Sequence, residues 1–392
     1  MQTSLSTENQ KEIRDLRRFF HQNPELKYEE KKTSQKVAET LKKYGYKPEV
    51  GMAKTGVIAL HTDKTNRCIL LRADMDALPL QEVNDVPYKS KNQNVMHACG
   101  HDMHMATLLM TAKELQKQKL PGNVKFVFQP AEEGGCGGEL MVKEGVLKNP
   151  KVEAAFGLHV WSPLPVGKVG VTPGPIMAAV DEFNLKIIGK GGHGAAPHQT
   201  IDSIVVASQL VNALQVMVSR NTDPFDSMVV TVGKFQGGST FNIIPEETYL
   251  RGTVRTMSET MWKKAPTLFE NIVKGVTQAH GARYELDYNR QAPLTINDKK
   301  MTEFVQEVCA SVVGEKNVDT TCRTMGGEDF SFILREVPGC FFFVGGENKK
   351  KGFVHPHHSP RFDIDEESLL IGYEIMKKIP SEYYKKFTKV IS

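Results

Sequence analysis

Residues 96–104 read Met-His-Ala-Cys-Gly-His-Asp-Met-His, placing one thiol and three imidazoles (His97, Cys99, His101 and His104) within eight positions. Thiolate and neutral imidazole are the ligands that a borderline-soft divalent cation prefers. Cys99 and His101 alternate, so in an extended segment both face the same way. From Met103 to Leu115 the spacing of apolar residues is helical, with Asp102 the predicted N-cap. The free N–H groups of a helix start also favour a thiolate just before it.

Four more segments carry metal-site chemistry. Arg72-Ala-Asp74-Met-Asp76 ends a strand-like run, which puts the two aspartates on one face. Gln129-Pro-Ala-Glu132-Glu133-Gly-Gly follows the apolar run Val124–Phe128. Adjacent residues of extended chain point opposite ways, so one glutamate can bind a cation while the other faces the attacking water. Gly157-Leu-His159 ends another apolar strand, and His355-Pro-His357-His358-Ser-Pro360 is a histidine-rich turn. Each alone has an ordinary structural account. Jointly, Cys, His, Glu, His and His at separate strand ends could hold one or two divalent ions and leave positions open for water, with a spare glutamate as general base.

Alternating elements must position these residues. Two amphipathic helices open the chain, with stripes Ile13, Leu16, Phe20 and Val37, Leu41, Tyr44. Strands are predicted at 56–60, 68–72, 124–128 and 154–159, with helices after Asp102 and over 138–147. This is the pattern of a mostly parallel, helix-covered sheet, and the chemistry falls past its strand ends. From about Asp181 the order becomes strand 183–188, helix 201–219, strands 228–235 and 247–254, helix 258–279 and strand 283–288. That is the βαββαβ order of a ferredoxin-like unit. A helix at 300–313, a strand at 340–344 and a helix at 366–377 then resume the first pattern. The expected architecture is a discontinuous catalytic domain, 1–179 with 292–392, interrupted by a lid and dimerisation domain at 180–291. Hinges are expected near Ala178–Val180 and Gln291–Pro293.

The 392 residues carry a net charge of +4, too little to argue for nucleic acid or an anionic membrane. The polar N-terminus has no secretory h-region, and no run reaches the length of a membrane span. Six dispersed cysteines are too few for a disulfide scaffold and read as reduced thiols in a cytoplasm.

The whole chain resembles the M20 family of metal-dependent peptidases and amidohydrolases. Within it, the resemblance is to N-acyl-amino-acid hydrolases such as hippurate hydrolases, N-acetyldiaminopimelate deacetylases and auxin-conjugate hydrolases. The matching pieces run in order along nearly the full length: RADMDALP (72–79), MHACGHDMH (96–104), QPAEEG (129–134), GLH (157–159), GKGGHGAAP (189–197), FNIIPE (241–246), RGTVRT (251–256), GGEDF (326–330) and HHSPRF (357–362). The resemblance implies Cys99, His101, Glu133, His159 and His358 as metal ligands, with Cys99 bridging if two ions bind. It implies Glu132 as general base, Asp76 as an orienting acid and His193 as a group delivered to a neighbouring subunit. It also implies Asn242 and Arg255 as holders of the substrate carboxylate. His97, His104 and Cys136 keep no assigned role, and Glu328 and Asp329 are candidate substrate-positioning groups.

The expected function is metal-dependent hydrolysis of an N-acyl-L-amino acid in a cytoplasmic homodimer, with Zn²⁺ or Mn²⁺ and with Co²⁺ or Ni²⁺ as further fits. The alternatives are an M20-type dipeptidase, aminopeptidase or carboxypeptidase with the same site, a cysteine-nucleophile hydrolase built on Cys99, and a silent metal-binding scaffold.

Overall fold

A computed structural model describes residues 3–63 and 65–388. The chain divides into two compact units. The larger runs to Ile176 and resumes at Ile296–Arg323 and from Asp329 onward; the smaller is Met177–Thr295 with Thr324–Glu328.

In the larger unit the elements begin with α1 (Thr7–Gln22), α2 (Lys31–Lys43), β1 (Glu49–Met52), β2 (Gly56–His61) and β3 (Cys68–Asp74). They continue with α3 (His101–Leu115), β4 (Asn123–Gln129), α4 (Gly137–Lys143) and β5 (Ala154–Pro165). An eight-stranded sheet has the order β1, β2, β4, β3, β5, then the strand Gly339–Glu347 and two short pieces, Val169–Gly170 and Val318–Asp319. Its centre is parallel: β3 pairs in parallel with β4 and β5, and β5 with Gly339–Glu347. β3 and β4 are buried along their whole length, which is why they read as continuous apolar runs without alternation.

The smaller unit has β6 (Ala179–Ile188), α5 (Ser203–Leu214), β7 (Met228–Gly237), β8 (Glu247–Thr256), α6 (Glu259–Ala279) and β9 (Arg283–Ala292). The sheet order is β7-β8-β6-β9 and every neighbour is antiparallel, the ferredoxin-like arrangement. β6 alternates strictly between buried and half-buried residues, matching a sheet with one covered face.

Three local expectations are corrected. Asp102 is not the N-cap of α3: Gly100 is, at φ 91°, because a Cβ there would meet Val160 Cγ1 at 2.3 Å. The helix expected over 201–219 breaks at Gln215, whose N–H is drawn toward the Asn212 and Ala213 carbonyls in a tightened turn. The helix expected to reach 147 ends at Lys143, because Gly145 takes a left-handed φ of 93°.

Asp102 instead lies fully buried in a charge cluster. Arg17 Nε donates to its Oδ2 at 2.7 Å and His21 Nδ1 lies 2.8 Å from the same oxygen. Arg17 also donates to Asp363, and His21 Nε2 lies 3.3 Å from Glu82. Burial and the Arg17 charge disfavour a protonated His21, yet Asp102 and Glu82 outweigh them and raise it from 6.5 to about 9. A pKa raised by folding stabilises the fold fully below the ordinary value, and that share is lost as pH rises through the folded value. The melting temperature is therefore expected to fall between pH 6.5 and about 9. His21→Gln should flatten that slope in a thermal scan; an equal slope in the variant would show that His21 is not its source.

Candidate metal centre

The five expected ligands all belong to the larger unit, and the fold brings them together. Donor atoms of Cys99, His101 and His159 lie within 4.8 Å of one another, and so do those of Cys99, Glu133 and His358. A third group joins His101 to Glu132 and Glu133. Cys99 is thus common to two triads. Its Sγ lies 3.4 Å from His159 Nε2, while His358 Nε2 lies 3.2 Å from Glu133 Oε1.

Backbone carbonyls select the tautomers. His101 Nδ1 lies 2.8 Å from Asp76 O, and His159 Nδ1 lies 2.5 Å from Val160 O. A carbonyl can only accept, so both Nδ1 atoms carry hydrogen, and Nε2 is the nitrogen each ring can offer to a cation. Among the described residues, the buried His101 Nε2 has no hydrogen-bond partner. A ring nitrogen left so beside a thiol, a carboxylate and two further imidazoles fits a divalent cation.

The electrostatics ask for positive charge. Burial opposes a charged His101, yet Asp74, Asp76 and Glu133 push the ring up to about 10. Burial, and then Glu133, Glu132 and Asp74, push the Cys99 thiol well above its ordinary range. The helix start therefore does not stabilise a thiolate as expected, because burial, and then the three carboxylates, disfavour a negative sulfur there. A thiol so protected is a poor nucleophile, which counts against the cysteine-hydrolase alternative. Burial, His104 and His357 hold His159 well below its ordinary value, leaving it a neutral donor.

Asp76 organises the second half of the site. Its Oδ1 accepts from Glu132 N–H at 3.0 Å and its Oδ2 from Glu133 N–H at 2.9 Å. The two glutamates accordingly sit in a turn and not in extended chain, with Gly134 N–H bonded to Glu132 O at 2.6 Å. Both carboxylates come within reach of His101, contrary to the opposite orientations expected of a strand. Lys27 and Tyr28 brace the same turn: Lys27 Nζ donates to Glu133 O and Tyr28 Oη to Gly135 O.

Asp74, His101 and His104 also cluster, but their atoms are committed. Asp74 accepts from Arg72 and His104, and His104 Nε2 accepts the Val160 N–H. Asp329 is spent likewise, on Arg72, Gln129 and the Gly138 N–H. His97 is buried with neither ring nitrogen bonded, and burial pushes it down to about 3. Cys136 is half-buried at φ 54° and burial raises it to about 11, the state of an inert thiol. Glu328 is buried in the smaller unit.

His193, Asn242 and Arg255 lie in the smaller unit. His193 pairs with Ile243, and Gly194 N–H donates to Asn242 O, so the first two share one exposed tip. His193 Nδ1 accepts the Ala195 N–H at 3.0 Å, which leaves Nε2–H as a donor. Arg255 is half-buried and its Nε donates to Thr253 Oγ1.

Residues 70–382 match the description "Peptidase family M20/M25/M40". The chain is 41% identical over 373 residues to thermostable carboxypeptidase 2 of Saccharolobus solfataricus, covering 92% of this chain and 94% of that one. It is 48% identical over 277 residues to an N-acyl-L-amino acid amidohydrolase of Geobacillus stearothermophilus, covering 70% of this chain and 74% of that one. A solved Bacillus subtilis structure, described as a dinuclear metal-binding peptidase of the M20 family, superposes with a TM-score of 0.84. That structure is 31% identical and the match covers 98% of this chain and 100% of that one. The chain belongs to peptidase family M20/M25/M40 and is a hydrolase of the amidohydrolase and peptidase kind.

Cation binding at such a site must displace protons, because the thiol and His101 hold theirs strongly. Apparent Zn²⁺ affinity is expected to fall at least about tenfold per pH unit as pH drops from 8 to 6, one displaced proton giving that slope. Calorimetry in buffers of different ionisation enthalpy counts the protons. Release of none would contradict the assignment of Cys99 and His101.

Proposed function

We propose that the protein is a metal-dependent amidohydrolase that cleaves the amide of N-acyl-L-amino acids to a carboxylic acid and a free amino acid. The observation that carries this reading is a carboxylate beyond the five donors: Glu132 shares the turn of Glu133, fixed by the same Asp76 side chain and within reach of His101. A site that only stores a cation has no use for it.

Cys99, His101, Glu133, His159 and His358 would hold one or two divalent ions, Cys99 belonging to both triads of donors. Thiol and imidazole suit Zn²⁺, carboxylate suits Mn²⁺, and Co²⁺ and Ni²⁺ also fit the set. When bound, the cation acidifies water and polarises a carbonyl. Glu132 takes the proton from the attacking water and returns it to the leaving amine. His193 presents Nε2–H to the carbonyl oxygen as negative charge develops there. Asn242 and Arg255 hold the substrate carboxylate, Arg255 through its planar fork.

The register of the smaller unit supports composite sites. Arg255 lies opposite Val180 at one end of β6, whereas His193 follows Ile188 at the other, where Glu247 pairs. At about 3.3 Å per residue, the eight residues from 180 to 188 separate these ends by roughly 26 Å. That span is too long for one small substrate, which supports delivery of His193, and of Asn242 beside it, from a second copy in a homodimer. β7 and β9 are open sheet edges available for such pairing. With all six cysteines unbonded, we place the enzyme in the cytoplasm.

The second reading, a carboxypeptidase, is favoured by the Saccharolobus relative, and the same residues would serve it. A panel of N-acetyl and N-benzoyl amino acids and dipeptides, run on protein loaded with each metal, separates the two. Turnover of peptides alone would overturn the amidohydrolase reading. Glu132→Gln should keep its metal and lose about 10²–10⁴-fold in kcat, the range of a general base. Glu133→Gln should instead lose metal. Inactive His193→Ala and Glu132→Gln proteins, mixed under subunit exchange, should regain partial activity; exchange without recovery would place His193 in its own chain's site.

A further inference from the structure

We propose that His104 and His357 are positioning residues that lock His159 in place by accepting backbone N–H groups of β5 just beyond it. The consequence for a cation rests on the metal reading above.

β3 pairs with β5 only as far as Arg72 opposite Gly157. On the other flank Ala155 N–H donates to Pro338 O, so odd-numbered N–H groups of β5 face the strand Gly339–Glu347 and even-numbered ones face the β3 side. Past Gly157 that side has no strand partner, while Val160 is buried and Ser162 nearly so. A buried N–H without an acceptor is costly, so something must replace the missing ladder.

Two imidazoles do so. His104 Nε2 accepts the Val160 N–H at 2.8 Å, and His357 Nε2 accepts the Ser162 N–H at 3.1 Å. An N–H can only donate, so both rings carry their hydrogen at Nδ1. His104 Nδ1 donates to Asp74 Oδ1 at 2.6 Å, and Asp74 Oδ2 accepts from Arg72 at 2.7 Å. The last residue of β3 thus reaches β5 through an imidazole where the backbones have parted. His357 is stacked between Trp161 and Phe362, with centroids at 4.8 and 4.9 Å.

Both rings also pack edge-on against His159, at 4.6 Å for His104 and 5.2 Å for His357. His159 is therefore held by its strand and by two rings packed against its own. Only a side chain that accepts at one end and donates at the other can bridge Val160 to Asp74, which is the use of His104.

Glutamine keeps an acceptor near the Nε2 position; asparagine at 104 and phenylalanine at 357 do not. His104→Asn and His357→Phe should weaken Zn²⁺ binding about 10- to 100-fold, the usual cost of losing a group that orients a ligand, and should alter the visible spectrum of the Co²⁺ form. His104→Gln and His357→Gln should bind close to wild type. Zn²⁺ competition titrations and metal-free melting temperatures are read side by side. Loss of melting temperature with unchanged affinity, or equal losses in the glutamine variants, would overturn the proposal. Two-bond ¹⁵N–¹H correlation spectra of the wild type read the tautomers without any variant. Hydrogen at Nε2 of either ring would overturn the clamp itself, whereas Nδ1–H at both with no Zn²⁺ bound by wild type would sink the metal reading and leave the clamp standing.

Discussion

Asp76 holds three parts of the chain at once. Its carbonyl takes the Nδ1–H of His101 at the start of α3, and its carboxylate takes the N–H groups of Glu132 and Glu133 beyond β4. One residue just past the end of β3 therefore sets the tautomer of one donor and the path of the turn that brings two carboxylates beside it. Because Asp76 is buried, these bonds lie where competition from water is weak. Any displacement of β3 relative to β4 would be felt first at this carboxylate.

The cost of such a site is charge. Asp74, Asp76, Glu132, Glu133 and Cys99 converge, and the thiol responds by keeping its proton. Positive charge is supplied behind the donors by Arg72, while the Arg17–His21–Asp102 cluster ties α1 to the first turn of α3. Buried ionic networks of this kind contribute little net stability against an apolar core, but removing one member leaves an uncompensated charge. Here they fix α3, and with it His101, at one position.

The larger unit holds the clustered thiol, imidazoles and carboxylates, and the smaller holds His193, Asn242 and Arg255. The antiparallel register of β6 and β8 puts Arg255 at the end of that sheet opposite the one from which the chain runs on to the tip carrying His193 and Asn242.

Much of this was legible in the residues. The continuous apolar runs of β3 and β4, the alternation in β6 and the βαββαβ order each follow from local periodicity. So does the placement of Glu133 just past β4, whereas His159, expected to end a strand, lies inside β5, which continues to Pro165. What the sequence could not decide is how those donors are aimed. Glu132 and Glu133 read as extended neighbours, yet two long-range bonds from Asp76 fold them into a turn. Asp102 reads as a cap, yet Gly100 takes that place and Asp102 pairs with Arg17, 85 positions away. His104 reads as a histidine without an assigned role and His357 as part of a histidine-rich turn, and only the parting of β3 from β5 gives them N–H groups to hold. Periodicity is a property of neighbours along the chain and fixes the elements; tautomer, protonation and aim depend on atoms that only tertiary packing brings within bonding distance.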